Sequence, residues 1–274
     1  MSDYINFIEG TVPKKSLGQN FLRDNEIAKN EAEYGRNKNV IELGPGAGIL
    51  TKQLCKSAKS VLAIEKDTRL YEFLKSKFDN YKNLKLINSD FFNYKLNVKK
   101  FDIMISNIPY NLSSKTIEWL LKNKLPALLC VQKEFAEHMI AKEGTKNYSK
   151  LSVFSSLGFK VYDIMNVKKD SFYPVPKVDS KIIYLKPLDV NLDPDSLSVL
   201  GYIMQHKKRN IKNALENSRR GLGIEKDFIK NFVNSLYNDN HLKGLDIEKI
   251  KVFRINPKDL LYISIKFREF KKLN

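Results

Sequence analysis

The chain has 274 residues, 42% of them hydrophobic, enough for one large domain with its own core and a small second one. Lysine and arginine total 48 against 31 acidic residues, and the net +17 suits a polyanionic partner, most often nucleic acid. No run of about eighteen apolar residues exists to span a membrane, no apolar h-region follows the N-terminus, and Cys55 and Cys130 lack a CxxC partner, which argues against a zinc site and for a reduced, cytoplasmic setting.

In chain order, short apolar runs alternate with amphipathic stretches. Residues 39–43 (NVIEL) read as a strand and 48–58 as a helix; 60–65 (SVLAIE) as a strand and 68–78 as a helix. Residues 84–88 and 101–106 read as strands, 114–122 as a helix, 125–132 as a strand and 134–142 as a helix. This βαβα rhythm predicts an α/β fold, a mostly parallel sheet with helices on both faces. Residues 159–167 and 180–185 read as two strands that close the sheet. Residues 186–194 (KPLDVNLDP) hold two prolines and no periodicity, so the boundary is set there: 1–186 form the first domain and 187–274 a small helical one. Its helices are predicted over 196–205, 209–217, 226–236 and 257–267.

VIELGPGAGILT runs strand, glycine turn, helix, with Gly44, Gly46 and Gly48 at alternate positions. The dinucleotide fingerprint G-x-G-x-x-G would need glycine at position 49, which is Ile49, so a dehydrogenase is disfavoured. Glycine permits a tight turn and close approach of a ligand to the backbone. Glu65 ends the next strand, at the spacing where an acid accepts hydrogen bonds from ribose hydroxyls. Asp90 follows the third strand and suits an exocyclic amine such as that of adenine. Each feature alone also fits an ordinary turn or loop cap; together they line one sheet edge and indicate a nucleoside-containing cofactor.

The segment SNIPYNLSS follows the fourth strand on that same edge. An adenine N6 lone pair is delocalised into the ring, so methylating it calls for two acceptors that hold its hydrogens and turn the lone pair outward. The Asn107 side-chain oxygen and the Ile108 carbonyl, stiffened by Pro109, can be those acceptors. Tyr110 offers a stacking face worth about 1–3 kcal/mol, offsetting part of the cost of extruding a base. No strong general base is required, and orientation supplies most of the rate.

With KKSLGQNFLRD (14–24), ELGPGAGILT (42–51), Glu65, SDF (89–91), NIPYNLSS (107–114) and FYPVPKVDS (172–180), the chain resembles the rRNA adenine N6-dimethyltransferases of the KsgA/Erm superfamily. The resemblance implies a class I, Rossmann-like methyltransferase domain and S-adenosylmethionine as cofactor. It implies that Gln19, Asn20, Leu22, Gly44, Gly46, Glu65, Lys66, Asp90, Phe91 and Asn107 hold that cofactor. It also implies that Asn107, Ile108, Pro109 and Tyr110 form the catalytic loop, with Phe172 packing on the target base opposite Tyr110. LGQNFL looks most like the KsgA-type enzymes, which dimethylate two adjacent adenosines in the 3′-terminal hairpin of small-subunit rRNA. Ile108 is instead common in the Erm branch, which acts on large-subunit rRNA. The segment between Asn25 and Asn39 looks short and lacks the usual apolar run, so a shortened helix is expected there.

The basic stretch 206–220 (HKKRNIKNALENSRR), laid on a helix, turns several of Lys207, Lys208, Arg209, Lys212, Arg219 and Arg220 to one side for RNA phosphates. A zinc deaminase is disfavoured by the absence of H-x-E and P-C-x-x-C, and His138, His206 and His241 lack ligand partners at metal spacing, so no metal is expected. A monomer acting on the assembling small ribosomal subunit is the expected state. The alternatives are an Erm-type enzyme and a non-catalytic RNA-binding assembly or transcription factor of the same fold.

Overall fold

The computed structural model describes residue 10 and residues 12–273. A short strand, β1 (Phe21–Leu22), precedes α1 (Asn25–Glu33), whose N-cap Asp24 accepts from the Glu26 and Ile27 amides. The alternation follows: β2 (Asn39–Leu43), α2 (Ile49–Ser57), β3 (Ser60–Glu65), α3 (Thr68–Lys77), β4 (Leu84–Asn88), β5 (Ile103–Asn107), α4 (Ser113–Asn123) and β6 (Ala127–Gln132). Next come α5 (Lys133–Met139), α6 (Lys150–Gly158), β7 (Phe159–Val167), β8 (Phe172–Tyr173) and β9 (Ser180–Pro187). The remainder is helical: α7 (Pro194–Gln205), α8 (Ile211–Asn217), α9 (Arg219–Leu222), α10 (Lys226–Tyr237) and α11 (Pro257–Leu273).

The strands form a seven-stranded sheet in the order β4-β3-β2-β5-β6-β9-β7. β4, β3, β2, β5 and β6 run parallel; β9 pairs antiparallel with both β6 and β7, so β9 is the one reversed strand of this sheet. This is the mostly parallel, Rossmann-like architecture the sequence predicts. The central strands are buried almost throughout because helices cover both faces, and their sequences are accordingly continuous apolar runs. Chain order reverses between β2 and β5, so a crevice opens at their carboxyl ends. β1 and β8 pair antiparallel as a separate ribbon, Phe21 opposite Tyr173 and Leu22 opposite Phe172.

By internal contacts the chain forms two compact units. One runs to Ala136 and resumes at Phe159–Pro187; the other comprises Glu137–Gly158 and the chain from Leu188 on. Residues 137–158 thus group with the C-terminal helices, whereas the sequence reading has a single boundary after residue 186. The Tyr148 hydroxyl donates to the Ile255 carbonyl at 2.9 Å, and the Gly144 amide to the Phe253 carbonyl at 2.7 Å. α6 is absent from the helices that the sequence predicts. It buries Ser152, Val153, Phe154, Ser155, Leu157 and Gly158, so it shows no polar face to mark a helical period.

Candidate active site

The glycine turn after β2 is shaped by its neighbours. Gly46 has φ +60°, and its amide donates to Glu65 Oε2 at 3.1 Å. Gly48, the left-handed N-cap of α2, has φ +88°, and a Cβ there would lie 2.5 Å from Leu74 and 2.7 Å from Phe78 on the α3 side. The third glycine therefore serves packing, and the first two line the cleft.

The cleft lies at the carboxyl ends of β2, β3, β4 and β5. Gln19, Asn20, Leu22, Gly44, Gly46, Glu65, Lys66, Asp90, Phe91 and Asn107 all line it, with Pro109, Asn111 and Leu112 on one side. Glu65 is 5% exposed; its second oxygen takes the Asp67 amide at 2.8 Å, and burial raises its pKa against these hydrogen bonds. Asp90 accepts from Lys66 Nζ at 2.9 Å and from the Phe92 amide at 2.9 Å, and the lysine holds its carboxyl below the usual range. Phe91 is buried against Trp119, ring centroids 5.0 Å apart.

The N-terminal segment is tied to this edge through Asp67, a residue outside every motif read from the sequence. Asp67 is 2% exposed and accepts from Gln19 Nε2 at 3.1 Å, Lys14 Nζ at 3.2 Å and Arg69 at 2.8 Å. Arg69 is the main cause of its strongly lowered pKa. Gln19 is thus half committed to Asp67, and its Oε1 accepts from the Lys14 amide at 2.7 Å. A signal for Asp67 does exist in the sequence: an Asp directly before a helix suits an N-cap by residue type alone, and here it caps α3.

Asn107 ends β5. Its Oδ1 is buried and finds no hydrogen-bond partner among the described residues, while its Nδ2 donates to Glu31 Oε2 at 3.1 Å. Ser106 anchors the strand beside β2 by donating to the Leu43 carbonyl at 2.5 Å. Ile108 is buried, and the Pro109 carbonyl takes the Leu112 amide at 2.8 Å. Tyr110 is half-buried, its hydroxyl 2.7 Å from Ser180 Oγ, and burial pushes its pKa up to about 12. A small cavity beside the cleft is lined by Gly18, Asn20, Asn107, Ile108, Tyr110, Cys130 and Phe172. The structure thereby brings Phe172, Tyr110 and Asn107 to the lining of one small cavity. The orphaned Asn107 acceptor, the glycine-lined wall and the two acids Glu65 and Asp90 fit a nucleoside cofactor.

Glu31 and Glu42 also lie outside the sequence motifs. Both are buried, each leaves one carboxylate oxygen without a partner among the described residues, and burial pushes each up to about 8. The segment after Asp24 forms α1, nine residues long, and Glu31 sits on its buried face with Ala28 and Ala32. An acid flanked by apolar residues at helical spacing is its one trace in the sequence.

The basic stretch is not one helix. Residues 206–209 form a turn, Asn210 bridges to Lys251 and caps α8, and Ser218 separates α8 from α9. The Val252 and Phe253 amides donate to the Arg209 and Lys207 carbonyls, which takes those carbonyls away from a continuing helix. Lys207 Nζ donates to the Tyr148 carbonyl, and Arg219 lies 4.0 Å from Glu225. Lys208, Arg209, Lys212 and Arg220 are exposed.

A family model described as "Ribosomal RNA adenine dimethylase" matches residues 11–251. The chain is 36% identical over 265 residues to "Probable ribosomal RNA small subunit methyltransferase A" of Thermococcus gammatolerans, covering 94% of this chain and 90% of the relative. Among solved structures it is similar to a dimethyladenosine transferase from Plasmodium falciparum, with TM-score 0.72, 29% identity and coverage of 92% and 98%. It is also similar to the 23S rRNA methyltransferase ErmE, with TM-score 0.60, 25% identity and coverage of 90% and 99%.

Proposed function

The chain belongs to the ribosomal RNA adenine dimethylase family, and from that premise we propose how its own residues carry the reaction. The protein is an S-adenosylmethionine-dependent enzyme that dimethylates adenine in small-subunit rRNA. S-adenosylmethionine supplies an electrophilic methyl group on its sulfonium sulfur. We take the substrate to be two adjacent adenosines in the 3′-terminal hairpin, met on the assembling small subunit, with the protein acting as a monomer in the cytoplasm.

The observation that carries the mechanism is the buried, unpartnered Oδ1 of Asn107, a residue that lines both the cleft and the small cavity. Gly44 and Gly46 leave room for the methionine portion, Glu65 takes the ribose hydroxyls, and Asp90 takes the adenine amine of the cofactor. Gln19, Asn20, Leu22, Lys66 and Phe91 close around them. On the RNA side, Tyr110 and Phe172 receive the extruded base. Asn107 Oδ1 and the Ile108 carbonyl accept its N6 hydrogens and leave the nitrogen lone pair directed at the methyl group. S-adenosylmethionine would supply the methyl group and leave as the neutral thioether; N6, once methylated, is positively charged and acidic, and its proton is lost to water. Repeating the cycle gives the dimethylated base. The exposed Lys208, Arg209, Lys212 and Arg220, with Lys207 and Arg219 beside them, add phosphate contacts that select shape rather than sequence.

The test is methyl transfer from labelled S-adenosylmethionine to undermethylated small subunits and, separately, to large-subunit RNA, followed by mapping of the base. N6,N6-dimethyladenosine in the small subunit is expected. Label confined to large-subunit RNA would assign the Erm-type reaction instead. RNA binding without label would leave a binding factor.

A further inference from the structure

We infer that Glu31 is a positioning residue for methyl transfer: its carboxylate holds the Asn107 amide in the one orientation that turns Oδ1 toward the target amine. The inference rests on the role of Asn107 proposed above and adds a residue from outside every motif that led to it.

An amide side chain is ambiguous. The oxygen and nitrogen ends of an Asn have nearly the same shape, and a half-turn exchanges them. With Nδ2 turned inward, Asn107 would present a donor to an amine whose own hydrogens need acceptors. The strand alone does not decide the matter, because Oδ1 has no partner among the described residues. Nδ2 has one, Glu31 Oε2 at 3.1 Å. An ionised carboxylate only accepts, so it admits only the productive orientation; a protonated one can donate, and it tolerates both.

The placement of Glu31 supports this use. It is 1% exposed on the inner face of α1, and Oε1 has no partner among the described residues. An aliphatic residue would fill the same space without the cost of burying an acid. The titratable groups around it are Glu42 from β2 and the Cys130 thiol from β6, and Glu65 from β3 couples in turn to Glu42. Burial pushes Glu31 up to about 8, opposed by the hydrogen bond from Asn107. The share of molecules with a committed amide therefore grows as pH rises toward and past that value.

The experiment measures single-turnover methyl transfer at saturating cofactor and small-subunit RNA, from about pH 6 to about pH 9.5. It compares wild type, Glu31→Gln and the exchanged pair Glu31→Gln/Asn107→Asp. The side-chain amide of Asn107 is followed in parallel by NMR on protein labelled with 15N-asparagine. Wild type is expected to rise to a plateau above about pH 8, with the Asn107 NH2 signals moving over the same range. Glu31→Gln is expected to lose about tenfold or more in rate, to lose that pH limb and that titration, and to keep its cofactor affinity. The exchanged pair should recover most of the loss, because the glutamine amide on α1 can donate to a symmetric acceptor at position 107. A wild-type rate and pH profile in Glu31→Gln would overturn the inference. So would an unrescued loss accompanied by weaker cofactor binding, which would mark Glu31 as merely structural. Wild type that transfers no methyl while its Asn107 signals still titrate would overturn the reading of the site, and the inference with it.

Discussion

Asn107 stands between a buried acid and a small cavity, so truncating it has two effects that can be separated. Asn107→Ala removes the acceptor for N6, and kcat is expected to fall by about 10²–10³, as for loss of one preorganised hydrogen-bonding group. Cofactor affinity, measured by calorimetry, should stay within about threefold, since the other cleft residues remain. The buried acids make a second, opposite-looking prediction. Folding raises Glu31 from its ordinary 4.5 to about 8, so the folded state holds a proton that the unfolded state has lost between those values. Stability should therefore decline as pH rises through that interval and level off above about 8. Glu31→Leu should melt higher than wild type, most clearly above about pH 8, while losing activity; equal melting curves at that pH would contradict the buried, weakly paired acid. Glu42 shifts in the same direction and would keep part of the slope in the variant. The residues around Asn107 are legible because NIPY, the glycine turn and Glu65 are local strings whose spacing carries chemistry. Glu31 is not, because its importance lies in a contact 76 positions along the chain.

Elements are easiest to read where one face is buried and the other wet. α2, α3 and α4 show that contrast, and the central strands show unbroken apolar runs. α6 is buried nearly all round, and the basic turn after α7 is set by backbone pairing with residues 251–253, which charge pattern does not report. At this scale α1 is the support for Glu31, and Asp24 is its cap. Asp24→Ala should cost about 1 kcal/mol of stability by denaturant melts. The strap across the cleft makes a different prediction. Asp67 gathers Lys14, Gln19 and Arg69, so Asp67→Ala should raise the cofactor KM by about tenfold, equivalent to about 1.4 kcal/mol. It should also open residues 14–22 to limited proteolysis, beyond the about 1 kcal/mol of stability lost with the α3 cap. An unchanged KM would mean that the strap is incidental to binding.

For the molecule as a whole, +17 is a statement about association with RNA. Binding affinity should fall steeply with salt. Replacing Lys208, Arg209, Lys212 and Arg220 by Gln should flatten the slope of log K against log salt by about 0.7 for each phosphate that is no longer neutralised. Turnover at saturating RNA should persist; a slope equal to wild type would move the RNA surface elsewhere. The β1–β8 ribbon bears on how the site comes into being. Phe21 and Leu22, on the wall of the cleft, pair with Tyr173 and Phe172, residues made long after them. Closing so long a loop is slow compared with forming local helices. During synthesis the glycine turn, Glu65 and Asp90 all emerge before β8, the partner of the strand that carries Phe21 and Leu22. A nascent polypeptide released before residue 172 would carry most of the cleft residues, with the strand at Phe21 and Leu22 still without its partner.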